Sequence, residues 1–317
     1  MVLENFLSIK VIRKFPQIMF VEGLVLASAA IWLSNWVFPS NSSLLHIAFA
    51  VIASMPTITK LFVLEESIEA KKPGKAAGFL SRHRNLISIY AWFFLGLVFA
   101  YSLWYFALPE EETILCLSTD SICFGLPVRG GVFEEQENTL GAISDLKSSI
   151  DGSSTLNLTG NLLAEGCKDF YTYLFLIFEN NSIVLLLAII FSLVYGAGAL
   201  FLIAWNASII GVKIGQDAIA SIPLYSSQYG ILSIFPAFIH GLINAIGLVP
   251  HGIFEITGFF VGAIAGGILS VAITKKSLKE KDELKLILKD AVAISLMAFA
   301  LIFIGAVIEA YFISINC

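Results

Sequence analysis

The chain has 317 residues, of which 57% are hydrophobic and only 14% charged, and its mean hydropathy is +0.86. Such a composition excludes an ordinary soluble domain and points to a polytopic membrane protein of the cell membrane. The formal net charge of -5 hides a segregation, because the basic residues gather in a few short stretches; neither basic loop resembles a nucleic-acid-binding module, and no nucleic-acid partner is expected.

Lys10, Arg13 and Lys14 precede a first apolar run from Met19 to Phe38. That run lacks a convincing small-residue cleavage site and is long enough to remain as an anchor. A second run from Leu44 to Leu64 carries Pro56, and Lys71, Lys72, Lys75, Arg82 and Arg84 follow it. The third run, Leu86 to Leu108, leads into the long polar segment Pro109 to Asn181. Further runs occupy Ile183 to Trp205, Ile231 to Val249, His251 to Thr274 and Ala291 to Ile313, with six lysines between the last two. The spacing predicts about seven transmembrane helices. The basic stretches belong on the cytoplasmic side, so the N-terminus is expected inside and the C-terminus outside. The fifth and sixth runs are joined so tightly that they read as a broken or re-entrant hairpin. Leu278 to Leu288 reads as a short amphipathic extension of the sixth or seventh helix, either touching anionic lipid or simply solvated.

The expected organisation is all-α: an N-terminal membrane region over 1–108, a small extracytoplasmic cap over 109–182 and a C-terminal membrane region over 183–317. Asn138 to Ile150 has helical spacing, while aromatic Phe170 to Phe178 fits either the cap's end, an interfacial helix or the start of the fourth span. Sequons at Asn41, Asn157 and Asn180 fall outside in this arrangement. So do all four cysteines, Cys116, Cys123, Cys167 and Cys317. An oxidising exterior favours disulfides, with Cys116–Cys123 and Cys167–Cys317 the preferred pairing and free thiols the alternative.

Chemistry-bearing residues concentrate in the C-terminal region. Asn206-Ala207-Ser208, continuing through Gly211, Lys213, Gly215 and Asp217, is too polar for a lipid-facing span and suggests a re-entrant or interfacial helix. His240-Gly241-Leu242-Ile243-Asn244 and His251-Gly252-Ile253-Phe254-Glu255 both read His-Gly-apolar-apolar-polar. On one straight helix the histidines would lie about 16 Å apart. A fold-back between Gly247 and Pro250 would instead bring His240, Asn244, His251 and Glu255 to similar depths. There they could bind a ligand or ion, or satisfy one another as a hydrogen-bonded knot; His240, His251 and Glu255 are the metal candidates. Gly258, Gly262 and Gly266 recur every fourth residue and predict close helix packing, within one subunit or across a homodimer. Glu22 and Glu309, each near a span end, can snorkel or find a local partner.

Asn206-Ala207, Gly211, the Pro250-His251-Gly252-Ile253-Phe254-Glu255 core and the small-residue run Gly262 to Gly267 together resemble the stage II sporulation protein M family of integral membrane proteins. The resemblance covers roughly Ile183 to Lys276. It implies an all-helical multispan protein without a cofactor, acting as a membrane scaffold or assembly partner for cell-envelope proteins; the family's namesake works with peptidoglycan-degrading enzymes during engulfment. Lipid is an expected partner, as is an envelope protein engaging the outer cap. A permease with a polar site at His251 and Glu255 is the first alternative. An intramembrane metal-dependent hydrolase is the second: His240-x-x-x-Asn244 is similar to a motif of the CAAX-processing and bacteriocin-processing protease family, but Ala70 stands where that family's arginine belongs. A non-enzymatic role is therefore expected.

Overall fold

A computed structural model describes residues 9–69, 79–116, 123–150, 170–195, 199–274 and 281–316. Ten α-helices account for most of them: α1 (Ile9–Lys14), α2 (Ile18–Val37), α3 (Ser42–Glu69), α4 (Phe79–Ala107), α5 (Arg129–Ile150), α6 (Phe170–Tyr195), α7 (Ala199–Tyr229), α8 (Ile234–Asn244), α9 (Val249–Thr274) and α10 (Lys281–Asn316). A two-stranded antiparallel hairpin, β1 (Ile114–Cys116) and β2 (Cys123–Gly125), lies between α4 and α5. Among the described residues, six segments are long and apolar enough to cross a membrane, and one of them, Ala199–Ser270, contains α7, α8 and much of α9. The chain is thus a helical, multi-pass membrane protein.

Prolines punctuate these helices. Pro39 stands where the chain leaves α2, after Phe38 has turned out of the helical region at φ -137° while its N–H still reaches the Ser34 carbonyl at 2.7 Å. Pro250 occupies the first turn of α9, where a missing N–H costs nothing because no carbonyl waits for it. The expected fourth span, Ile183 to Trp205, is instead shared by two helices that end at Tyr195 and restart at Ala199. Residues 196–198 between them lie outside the described residues.

Two helix groups share one core. In the first, α2, α4 and α7 run parallel: Gly23 of α2 seats on Phe93 and Leu97 of α4, Trp104 Nε1 donates to Ser28 Oγ at 2.9 Å, and Gly211 of α7 seats on Tyr101 and Ser102. α3 returns beside α2, with the Ser34 and Ser42 hydroxyls 2.9 Å apart, and Glu22 reaches Thr57 across the same interface. The second group is α6, α9 and α10. α6 and α9 run parallel, since Asn181, Leu185 and Ile189 meet Glu255, Gly262 and Gly266 in turn, whereas α10 runs against α9. Phe260 of α9 joins the groups by stacking on Tyr90 at 5.5 Å and meeting Phe94 edge-on at 6.1 Å, both on α4.

The stretch expected to be a hairpin is a broken helix. Through the 3-10 turn Ala245–Leu248, the flanking Asn244, Ala245 and Val249 all keep right-handed helical dihedrals, so the chain bends without reversing. α8 packs on α7, and α9 packs on α6 and α10. With eleven residues, α8 is only about 16 Å long, half of a hydrocarbon core roughly 30 Å thick.

The cap region mixes the hairpin with α5. Leu126 N–H bonds to the Thr113 carbonyl at 2.9 Å, and Cys116 and Cys123 face each other as cross-strand partners. Among the described residues there is no disulfide bond, which corrects the expected Cys116–Cys123 link. Cys167, Cys317 and Asn157 lie outside the described residues. Phe170 to Phe178 begins α6, and α10 extends back to Lys281, carrying part of the predicted amphipathic stretch. α5 is pinned to the end of α4 by Arg129, whose Nε and Nη2 donate to the carbonyls of Tyr105 (2.9 Å) and Leu108 (2.8 Å) while its guanidinium lies over the Tyr105 ring. Such terminal carbonyls have no partner within their own helix. Arg129→Lys will therefore not substitute, because a point ammonium cannot bridge two carbonyls and stack. We expect a loss of about 1.5–3 kcal/mol, seen as earlier thermal unfolding and as proteolytic clipping ahead of α5.

Candidate functional site

The carboxylate of the Pro-His-Gly-Ile-Phe-Glu stretch is held by helices distant in sequence. Glu255 projects from α9 one turn below His251, and its Oε1 accepts a 2.8 Å hydrogen bond from Asn181 Nδ2 of α6. Glu309 of α10 lies against the same carboxyl group. Room for this comes from Gly305 of α10: a Cβ there would stand 2.8 Å from Glu255 Cγ and 3.2 Å from the His251 carbonyl oxygen. One amide and two carboxyl groups from three helices thus form a polar knot inside segments of membrane-spanning character, where ionisable groups are seldom placed without a role. The Ser182 Oγ, one residue from Asn181, is also buried and without a partner among the described residues.

The other predicted residues do not join it. His240 Nδ1 pairs with the Tyr225 hydroxyl of α7 at 2.9 Å, tying α8 to α7 in the first helix group. Asn244 is exposed, and His251 is half-buried. Asn206 Nδ2 donates to the Leu202 carbonyl of its own helix at 2.8 Å. Because the chain bends at Ala245–Leu248 without reversing, His240 and His251 stay on successive pieces of one broken helix, roughly 16 Å apart along it. Among the described residues, no three His, Cys, Asp or Glu side chains converge as metal ligands. The segment from Asn206 to Asp217, expected to be re-entrant, is the middle of α7; its two charges satisfy each other through a Lys213 Nζ to Asp217 Oδ1 contact of 2.6 Å, one turn apart.

Packing absorbs the glycine stripe. Gly258 faces Ile302 and Ala298 of α10, while Gly262 faces Leu185 and Gly266 faces Ile189 and Ser192, all on α6. Ser192 Oγ adds a 2.7 Å bond to the Ala263 carbonyl at that contact. Gly258, Gly262 and Gly266 therefore serve the interior of one chain, and their backbone approach is unavailable to a second copy.

Sequence reasoning overlooked Asn181 and paired Glu309 with nothing. Asn181 sits inside the Asn180 sequon, which was expected outside the membrane and falls within α6. Its polarity in an apolar helix was the available signal. Glu309 was visible as a charge near the end of a span, but its partner lies in another helix and no local spacing reveals it.

No solved structure matches the chain. It is 31% identical over 137 residues, covering 43% of this chain and 67% of the other, to the uncharacterized protein MJ0793 of Methanocaldococcus jannaschii. The model of the family described as Stage II sporulation protein M matches residues 18–313. That match reaches from α2 through α10 and so includes the N-terminal helices and the cap, well beyond the Ile183 to Lys276 stretch that carries the motif. From the first membrane helix to the last, the chain belongs to the stage II sporulation protein M family.

Proposed function

We propose that this protein is a non-catalytic membrane scaffold, in which the polar residues of the membrane helices hold the bundle together and the cap end engages an envelope protein. The observation that carries the reading is the dispersal of the candidate residues. His240 binds α8 to α7, Glu255 joins α9 to α6 and α10, and Asn206 is spent on its own helix. His240 and Glu255 are used as ties between helices, as in a hydrogen-bonded network that specifies one packing.

Helix directions support seven crossings with the N-terminus inside and the C-terminus outside. The basic residues before α2, and the helix ends flanking 70–78 and 275–280, fall at one end of the bundle, and the hairpin and α5 at the other. In this arrangement α8, its 3-10 turn and α9 make a single broken crossing. At the cap end, Glu110, Glu111, Glu112, Glu134 and Glu135 are all exposed, an acidic surface that suits a partner with a basic face. Photo-crosslinking from position 111 or 134 in native membranes should give discrete protein adducts, and reversing Glu134 and Glu135 to lysine should abolish them. Adducts with lipid alone, or adducts indifferent to the reversal, would sink the scaffold reading.

A proton- or cation-coupled permease is the second reading, and the Glu255 and Glu309 pair favours it, since paired acids at membrane depth can exchange a cation or proton. In proteoliposomes, Glu255→Gln should then remain folded yet lose flux driven by a pH or ion gradient. Flux absent from the unaltered protein would leave this reading without support. The hydrolase reading has no comparable support, because His240 and Glu255 belong to different helix groups.

A further inference from the structure

The strongest unexplained feature lies in the other helix group from Glu255, where α5 meets α3 and α4. His46, Tyr101 and Gln136 are all 0% exposed. Each keeps one polar atom without a partner: His46 Nε2, the Tyr101 hydroxyl and Gln136 Oε1. The remaining polar atoms of His46 and Gln136 are committed. His46 Nδ1 lies 2.8 Å from the Ser42 carbonyl oxygen, which can only accept, so Nδ1 carries the hydrogen and Nε2 of the neutral ring presents a lone pair. Gln136 Nε2 donates to the Ser43 carbonyl at 3.0 Å, which fixes the amide and turns Oε1 toward the interior as a second acceptor.

These side chains belong to one small neighbourhood. The His46 ring is 5.3 Å from that of Tyr101 and 5.6 Å from that of Phe133. Phe133 stands three residues before Gln136, at a kink in α5, and Ser43, which Gln136 grips, stands one turn before His46 on α3. Nearly all buried polar groups in proteins find a hydrogen-bond partner, and clustered exceptions ask for a missing one. Two fixed acceptors and a hydroxyl that can play either part call for an occupant with at least two N–H or O–H donors. All three side chains are fully buried, so the occupant must be small, on the scale of a water.

We propose that His46, Tyr101 and Gln136 form an occluded site for one small hydrogen-bond donor, water or ammonium, which fastens the cap helix α5 to the membrane bundle. Gln136 comes from the cap and the other two from the bundle, so the occupant bridges them. The nearby rings of Tyr101 and Phe133 offer a cation a π contact that would offset part of its desolvation cost.

Tyr101→Phe is the decisive variant, because it removes one oxygen and leaves the ring. With an occupant present, the change breaks a bond and should lower the melting temperature by about 2–4 °C, with loss of hydrogen-exchange protection over residues 132–142 of α5. With no occupant, it deletes an unsatisfied hydroxyl and should leave the melting temperature unchanged or raise it; that result would overturn the proposal. The double variant Tyr101→Phe with Gln136→Met should lose less than the sum of the single losses, since both contact the same molecule. Strict additivity would equally refute the shared occupant. Ammonium chloride that stabilises the unaltered protein, but not Tyr101→Phe, relative to equal sodium chloride would identify the donor as ammonium. Equal melting in the two salts, with the variant still destabilised, would identify it as water.

Discussion

Gly96→Leu will prevent the N-terminal helices from assembling, and even Gly96→Ala will destabilise the protein severely. A Cβ on Gly96 would collide with the backbone carbonyl of Phe20 and lie 3.0 Å from the Phe20 Cα. Across the same crossing, a Cβ on Gly23 would stand 2.6 Å from the Phe93 carbonyl oxygen. Both obstacles are backbone, so no rotamer change relieves them, and α2 must move away from α4 as a body. Overpacking of this kind costs about 1–3 kcal/mol and sometimes more; here separation also forfeits the Trp104 to Ser28 bond and the Trp32–Trp104 edge contact. Thermal unfolding in detergent checks the result. Gly252→Ala is the matched comparison: nothing lies within 4 Å of its added methyl, and alanine favours a helix over glycine by roughly 0.8–1 kcal/mol. It should raise the melting temperature although it alters the Pro-His-Gly motif.

Asn181→Leu should produce the second large effect, of about 1–3 kcal/mol or more. The replacement removes the amide that donates to Glu255 and leaves two acidic side chains in contact with no donor from α6. Glu255→Gln should be milder, because the amide oxygen can still accept from Asn181 and its NH2 can donate to Glu309. Combining Asn181→Leu with Glu255→Leu should recover much of the loss, since deleting both members of a buried polar pair removes the unsatisfied group. Equal losses for Asn181→Leu and Glu255→Gln would show that Glu255 serves packing rather than hydrogen bonding. These variants separate the tie from any transport role, because stability is read without a gradient.

Much of the fold was legible because hydrophobic length and proline position act locally. The runs Met19 to Phe38 and His251 to Thr274 coincide closely with α2 and α9, and the glycine spacing in α9 announced close packing. Two boundaries were misplaced for opposite reasons. Hydropathy does not fall enough to mark where α6 ends and α7 begins, so α6 and the start of α7 read as one span. At Ala245–Leu248, Gly247 and Pro250 announced an interruption, but the sequence could not say whether the chain reverses there or only tightens into a 3-10 turn; that depends on which helices receive each half. The candidate site was half legible. Glu255 was found by its chemistry, whereas its ties to Asn181 and Glu309 are set by the parallel run of α6 and the antiparallel run of α10. The partners of His46 were invisible for the same reason: a histidine in an apolar run gives no hint that α5 will cover it.

The bend between α8 and α9 also has a mechanical meaning. α8 packs on α7 while α9 packs on α6 and α10, so the four residues Ala245–Leu248 form a ligament between the two helix groups, alongside the contact of Phe260 with α4. A pull on the outer end would reach the Glu255 knot through this ligament, and any tilt of one bundle against the other must twist it. Should an envelope partner tug on the cap, strain would first gather in a stretch one helical turn long.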